Sequence, residues 1–110
     1  MSVNRTCISG RLTNDTELRT TAKGTSVLSF SVSFNSRIHT DDGYAEKPNY
    51  IDCSLFGKRA EAIQNYIHKG DFVVLDGHLS FSEYEKNNQR HTKLTLIVDD
   101  IDFSNNTKKN

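Results

Sequence analysis

Along most of this chain apolar and polar residues alternate in short runs, and a period of two is the mark of half-buried β-strands. The alternation is clean from Ser26 to Asn35: Phe30, Val32 and Phe34 fall on one face, Ser29, Ser31 and Ser33 on the other, and Leu28 stands outside the pattern. From Tyr50 to Phe56, Ile51, Cys53 and Leu55 form one face, and Tyr50, Asp52, Ser54 and Phe56 the opposite one. Two longer runs follow, Phe72 to Tyr84 and His91 to Phe103, joined through an Asn87-Asn88 turn; the second carries Leu94, Leu96 and Val98 in register. Shorter runs at Asn4 to Leu12 and Leu18 to Thr21 are separated by the turn pair Asn14-Asp15. Gly10 and Gly77 interrupt strands, where glycine marks a bend, a bulge or a close backbone approach.

One segment has a helical stripe. Over Lys58 to His68, Ala60, Ile63 and Ile67 share a face, Tyr66 flanks it, and Gly70 follows as a stop signal. The polar stretch from Arg37 to Asn49 holds the turn pair Asp42-Gly43 and the only proline, Pro48, and reads as a long mobile hairpin loop. A lone helix between the third and fourth main strands of an antiparallel protein predicts an all-β, five-stranded OB-fold Greek-key barrel. It is expected over residues 1–103, with a polar flexible tail over 104–110.

Composition refines this picture. The length of 110 residues suits one domain. No apolar run reaches membrane-spanning length and the N-terminal MSVNRTCISG has no apolar signal core, so the expectation is a cytoplasmic protein without a membrane partner. Cys7 and Cys53, inside alternating segments, read as buried thiols. Fourteen basic and fourteen acidic residues cancel. Nucleic-acid binding would then depend on local charge and lean on stacking.

Catalysis finds little support. Adjacent strand residues point to opposite faces, so Asp99-Asp100 with Asp102, or Asp41-Asp42, do not converge as a metal site would require. His39, His68, His78 and His91 lack metal-ligand spacing. No catalytic residue, metal site or cofactor is expected.

Three blocks carry a resemblance. Ser9-Gly10-Arg11-Leu12-Thr13 with Asp15 and Glu17-Leu18-Arg19 is the first, and Gly24 precedes the strand from Val27 to Val32. The second runs from Ile51 through Phe56-Gly57-Lys58 to Ala60-Glu61, and the third is Tyr66 with Lys69-Gly70, followed by Gly77-His78-Leu79 and Tyr84. In this order, from about Asn4 to Phe103, the chain resembles the bacterial single-stranded-DNA-binding proteins. The resemblance implies an OB fold. It also implies sequence-independent binding and protection of single-stranded DNA in replication, recombination and repair, association with the nucleoid, and self-assembly, with a homotetramer expected before a homodimer. Family members stack bases on aromatics, often tryptophans. This chain has no Trp, and Tyr50, Phe56 and Tyr84 occupy the matching positions. A further family aromatic is replaced by Ile38 or lost. Family members usually end in an acidic tip that recruits proteins; this sequence ends Asn-Asn-Thr-Lys-Lys-Asn, so tail-mediated partners are not expected of it.

Physical reading sharpens the site. Tyr50 and Phe56 lie an even number of residues apart, on one strand face, separated by about 20 Å. Candidate phosphate contacts are Arg11, Arg37, Lys47, Lys58, Lys86, Arg90 and Lys93. Asp52 and Glu83, near the aromatics, would repel phosphate. Phe72 and Val74, opposite Val73 and Leu75, are expected as an exposed apolar oligomer interface, and Ile51 belongs either to it or to the core. Phe81 falls in register with Val73, Leu75 and Leu79, which favours core; Phe34 fits the core or the groove mouth. A protein-interaction OB module of the primosome type, dimeric and with modest DNA affinity, is the alternative, and nothing in the pattern separates DNA from RNA.

Overall fold

The computed structural model describes residues 2–103, so the tail expected over 104–110 lies outside the described residues. The elements run β1 (Thr6–Leu12), β2 (Glu17–Thr20), β3 (Ser26–Thr40), β4 (Gly43–Phe56), α1 (Lys58–Ile63), β5 (Phe72–Lys86) and β6 (Gln89–Phe103). The sheet order is β1-β5-β6-β4-β3-β2, and a further β1–β3 pairing closes five of these strands into a barrel, with β2 laid along β3 outside the closure. The closure is the OB topology that the lone helix predicts. Two seams are short. β1 meets β3 at Arg11↔Ser33 and Leu12↔Val32, and β4 runs parallel to β6 only over Asp52↔Thr95 to Ser54↔Ile97.

Closing so small a barrel brings backbones into close approach, and two glycines make room. A Cβ on Gly10 would run into the Ser33 carbonyl, and one on Gly77 into the Ile97 carbonyl. At Gly77 the β5–β6 register also shifts, which coils the strand. Inside the barrel Leu12, Leu28, Phe30, Val32, Cys53, Leu55, Val73, Leu75, Leu96 and Val98 form one apolar cluster.

Several expectations are corrected. Leu28 is no exception: it is fully buried in the row of Phe30 and Val32, and Val27 breaks the pattern, buried on the outer row between Arg19 of β2 and Phe56 of β4. The helix ends at Ile63, five residues short of the predicted limit. Beyond it, Tyr66 N–H donates to the Ile63 carbonyl in a tight turn, and Ile67 reaches the core from that turn. Gly70, expected to stop the helix, sits at φ 90° in the turn before β5. Cys7 is exposed, because odd positions of β1 point outward while Ile8, Gly10 and Leu12 point in.

The largest correction concerns Arg37 to Asn49. It is no loop: β3 and β4 stay paired without a break from Val27↔Phe56 to Thr40↔Gly43, reversing through Asp41-Asp42. Pro48 is tolerated because β4 has no second neighbour there; its other pairing covers only Asp52 to Ser54. A second ribbon, the distal half of β5–β6, stays in register to Lys86↔Gln89 and reverses through Asn87-Asn88, both at positive φ as a two-residue hairpin turn demands. Phe81, expected in the core, lies on this ribbon and is 64% exposed, since none of the described residues covers either face of the ribbon there.

Candidate nucleic-acid interface

Strand register decides which side chains share the barrel's outer face. On β4 the outward residues are Tyr50, Asp52, Ser54 and Phe56, and their cross-strand partners on β3 are Ser33, Ser31, Ser29 and Val27. Tyr50 is 68% exposed and Phe56 46%, while Cys53 and Leu55 between them are buried. Ser33 opposite Tyr50 is small, so that ring stands clear of the sheet, whereas Phe56 lies beside Val27.

The face continues across the β4–β6 seam. Asp52 sits beside Thr95, and Thr95, Lys93 and His91 follow one another outward on β6 opposite Ser80, Ser82 and Tyr84. Tyr84 thus belongs to the same surface as Tyr50 and Phe56. Its ring is stacked on His91, with centroids 5.3 Å apart. In the other direction Ser33 pairs with Arg11, and Arg11 with Phe72, so a belt Phe72–Arg11–Ser33–Tyr50 runs round the barrel.

The predicted cations divide by the same rule. Arg11, Arg37, Lys86 and Lys93 alternate onto the aromatic face, and Lys58 is exposed two residues after Phe56. Lys47 pairs with Ser36 on the opposite face of its ribbon. Arg90 also faces away and lies 3.5 Å from Glu83, which takes that carboxylate off the stacking surface. Arg11 donates to the Gly70 carbonyl at 3.0 Å and lies 5.7 Å from the Phe72 ring centre.

Sequence reasoning missed Tyr44. It occupies the outward row of β4 with Tyr50 and Phe56, is 65% exposed, has the Arg37 guanidinium 4.7 Å from its ring centre and meets His39 edge-on at 5.1 Å. The signal was present: Tyr44, Tyr50 and Phe56 are each an even step apart, which counts only once the segment is read as strand.

Between the aromatics lies a cleft of about 360 Å³ lined by Asn14, Asp15, Glu17, Arg19, Asp52 and Lys93, with Ser29, Ser31, Ser54 and Thr95 on its floor. Asp15 accepts from the Lys69 N–H at 2.9 Å, and Glu17 lies 3.6 Å from Arg19. Asp52 accepts from the Ser31 hydroxyl at 2.6 Å and, among the described residues, has no cation within ion-pair distance. Burial, reinforced by Asp52, pushes the neighbouring Cys53 thiol up to about 12.

Of the expected interface residues, Phe72 and Val74 are each 38% exposed on the outer face of β5. Ile51 is not with them: it points inward and packs against the core cluster. Phe34 is half-buried and lines a second cleft with Gly10, Arg11 and Phe72. Among the described residues no three His, Cys, Asp or Glu side chains gather as metal ligands, and no helix is long and apolar enough to cross a membrane.

Comparison with known proteins bears on the family and the fold. Residues 3–104 match the Single-strand binding protein family. The chain is 38% identical over 101 residues to the single-stranded DNA-binding protein of Borreliella burgdorferi, covering 90% of this chain and 68% of that one. Against the protein of the same name from Treponema pallidum it is 34% identical, covering 90% of this chain and 56% of that protein. The chain therefore spans roughly two thirds or less of such relatives. Among solved structures, the Plasmodium falciparum SSB complex with ssDNA superposes with a TM-score of 0.86 at 20% identity, covering 94% of this chain and 96% of that one. A deletion mutant of the single-stranded DNA binding protein from Thermus aquaticus gives 0.83 at 23% identity, over 96% of this chain and 52% of the other. At such identities the likeness concerns the fold.

Proposed function

The chain belongs to the single-strand binding protein family, and from that premise we propose that it binds and protects single-stranded DNA by stacking bases on Tyr50, Phe56 and Tyr84. The observation that carries this reading is the outer face itself: three exposed rings on one continuous sheet surface, joined by small hydroxyl side chains and, among the described residues, interrupted by no covering element. Each base has a π-face, so stacking tolerates any sequence and contributes about 1–3 kcal/mol per base. In this reading Arg11, Arg37, Lys58, Lys86 and Lys93 meet phosphates along the way, supported by their exposure on or beside the aromatic face; Lys47 and Arg90 would have to reach round their ribbons. The setting is replication, recombination and repair, in the cytoplasm at the nucleoid.

Self-assembly into a homotetramer is part of the proposal. Phe72 and Val74 supply exposed apolar area, and the outer edge of β1 from Thr6 to Gly10 is unpaired among the described strands, an edge open to strand addition. Sedimentation giving a tetramer supports this; a monomer or dimer overturns it.

Fluorescence-anisotropy titration of a labelled thymidine oligomer and a matched duplex, at low and moderate salt, tests the binding. Tight binding to the single strand alone, lost in Tyr50→Ala/Phe56→Ala, is expected. Absence of binding to any single strand at low salt would overturn the reading and favour a protein-interaction barrel.

A further inference from the structure

Asp52 is an awkward resident of a surface built for a polyanion. It stands on the outward row of β4, two residues from Tyr50 and four from Phe56, at the centre of the hydroxyl-floored cleft. The other cleft carboxylates already have partners: Asp15 holds the Lys69 amide, and Glu17 lies by Arg19. Among the described residues Asp52 is tethered only by the Ser31 hydroxyl, whose single proton occupies one lone pair of Oδ1. The rest of that oxygen, and Oδ2, remain free to accept, and the tether fixes the carboxylate's orientation.

We propose that Asp52 is a base-reading residue that tilts binding toward guanine, a refinement that rests on the stacking reading above. Side chains stand roughly perpendicular to the sheet, so a base stacked on Tyr50 turns one edge down to the sheet surface. Asp52 is about 7 Å along the strand from Tyr50, within reach of that edge. A carboxylate is acceptor-only and takes two parallel N–H donors in its plane. Guanine's Watson–Crick edge supplies such a pair, N1–H beside the N2 amine. Adenine and cytosine supply one amine each with an acceptor next to it, and thymine sets a single N3–H between two carbonyls that face the carboxylate unfavourably. Ser29, Ser54 and Thr95 add rotatable hydroxyls to the floor that meet the guanine O6 acceptor without demanding it. Binding remains tolerant of sequence, because stacking supplies the bulk of the affinity and Asp52 only ranks the bases.

The test compares repeating thymine–guanine, thymine–inosine and all-thymine single strands of equal length, which keep guanines isolated from one another. Inosine lacks only the N2 amine, so the guanine-to-inosine ratio isolates the second hydrogen bond from differences in stacking. In the wild-type protein guanine strands should bind about five- to tenfold tighter than inosine strands, at the modest end of a bidentate base contact. Asp52→Asn keeps an acceptor for the Ser31 hydroxyl and should bring that ratio close to one while raising thymine affinity, as repulsion of phosphate is removed. Ser31→Ala, which frees the carboxylate without changing charge, should leave an intermediate ratio. Equal binding of guanine and inosine by the wild type, or a ratio untouched by Asp52→Asn, overturns the inference and leaves Asp52 as a purely repulsive charge. Loss of binding to every strand would instead overturn the stacking reading itself.

Discussion

The same strands live two lives in this molecule. Within the barrel, β3 and β4 separate their faces sharply: Phe30, Val32, Cys53 and Leu55 are buried and Tyr50, Asp52 and Phe56 exposed. Past Ser33 and Tyr50 the pairing continues without a break to Thr40↔Gly43, yet both faces are wet. The β5–β6 ribbon repeats this, from Leu75 and Leu96 in the core to Phe81, Tyr84 and Leu94 in solvent. Pairing within each hairpin is continuous through both regions; what differs is whether other strands close alongside and a layer covers one face of the sheet. An aromatic ring on the barrel's inner face, such as Phe30, is accounted for by packing, whereas one on the outer face or on a ribbon is not.

If that division holds, substitutions in the two regions should separate stability from binding. The largest effect belongs to the barrel. Leu28→Ala removes a side chain with no solvent exposure and should cost about 2–5 kcal/mol of unfolding free energy in urea, with the Kd for single strands unchanged wherever the variant is folded. A Kd that weakens as much as stability falls would erase the division. On the outer face the expectation reverses: Tyr50→Ala and Phe56→Ala should each weaken binding by about 1–3 kcal/mol in anisotropy titrations, against a stability change within about 0.5 kcal/mol for Tyr50→Ala.

The two cysteines give a comparison by pH. Cys53, buried between Tyr50 and Phe56 on the inner face, has its thiol raised from 9.0 to about 12 by burial, while Cys7 is exposed. The unfolded chain gives up this proton first, so the contribution is intact below about 9 and lost as pH climbs toward about 12. Wild type should therefore lose about 1.4 kcal/mol per pH unit across that window beyond what a Cys53→Val variant loses. Parallel slopes in urea unfolding would contradict it. The smallest effect is expected at the ribbon's far end, where Tyr44→Ala should weaken binding by about 1 kcal/mol and leave the melting temperature where it was.

The same division explains what was legible beforehand. On β4 the strict alternation gave both faces, and with them Tyr50 and Phe56, because one face is covered. It was silent from Arg37 to Asn49, where neither face is buried and a paired ribbon carries the composition of a loop. Tyr44 was lost with it. Phe81 shows the converse error: parity assigns a residue to a face but does not say whether anything lies over that face. Leu28 lies an even step from Phe30 and Val32, so alternation places it in their row; what alternation leaves unexplained is the burial of Val27, which depends on β2 lying against it. The exposure of Cys7 was readable from the odd–even split with Ile8 and Leu12, but only after the inward row of β1 was known.

The parallel contact between β4 and β6 is three residue pairs long, while the hairpins on either side of it are fourteen pairs each. A cylinder opens at its short seams, this one and the two-pair β1–β3 contact, and hydrogen exchange should find the amides that bridge β4 and β6 letting go before those that bridge the two strands of either hairpin. A strand of DNA laid from Tyr50 to Tyr84 crosses that very join. On the proposed path such a ligand would act as a clasp as well as a cargo, drawing shut one of the two short seams of its own container.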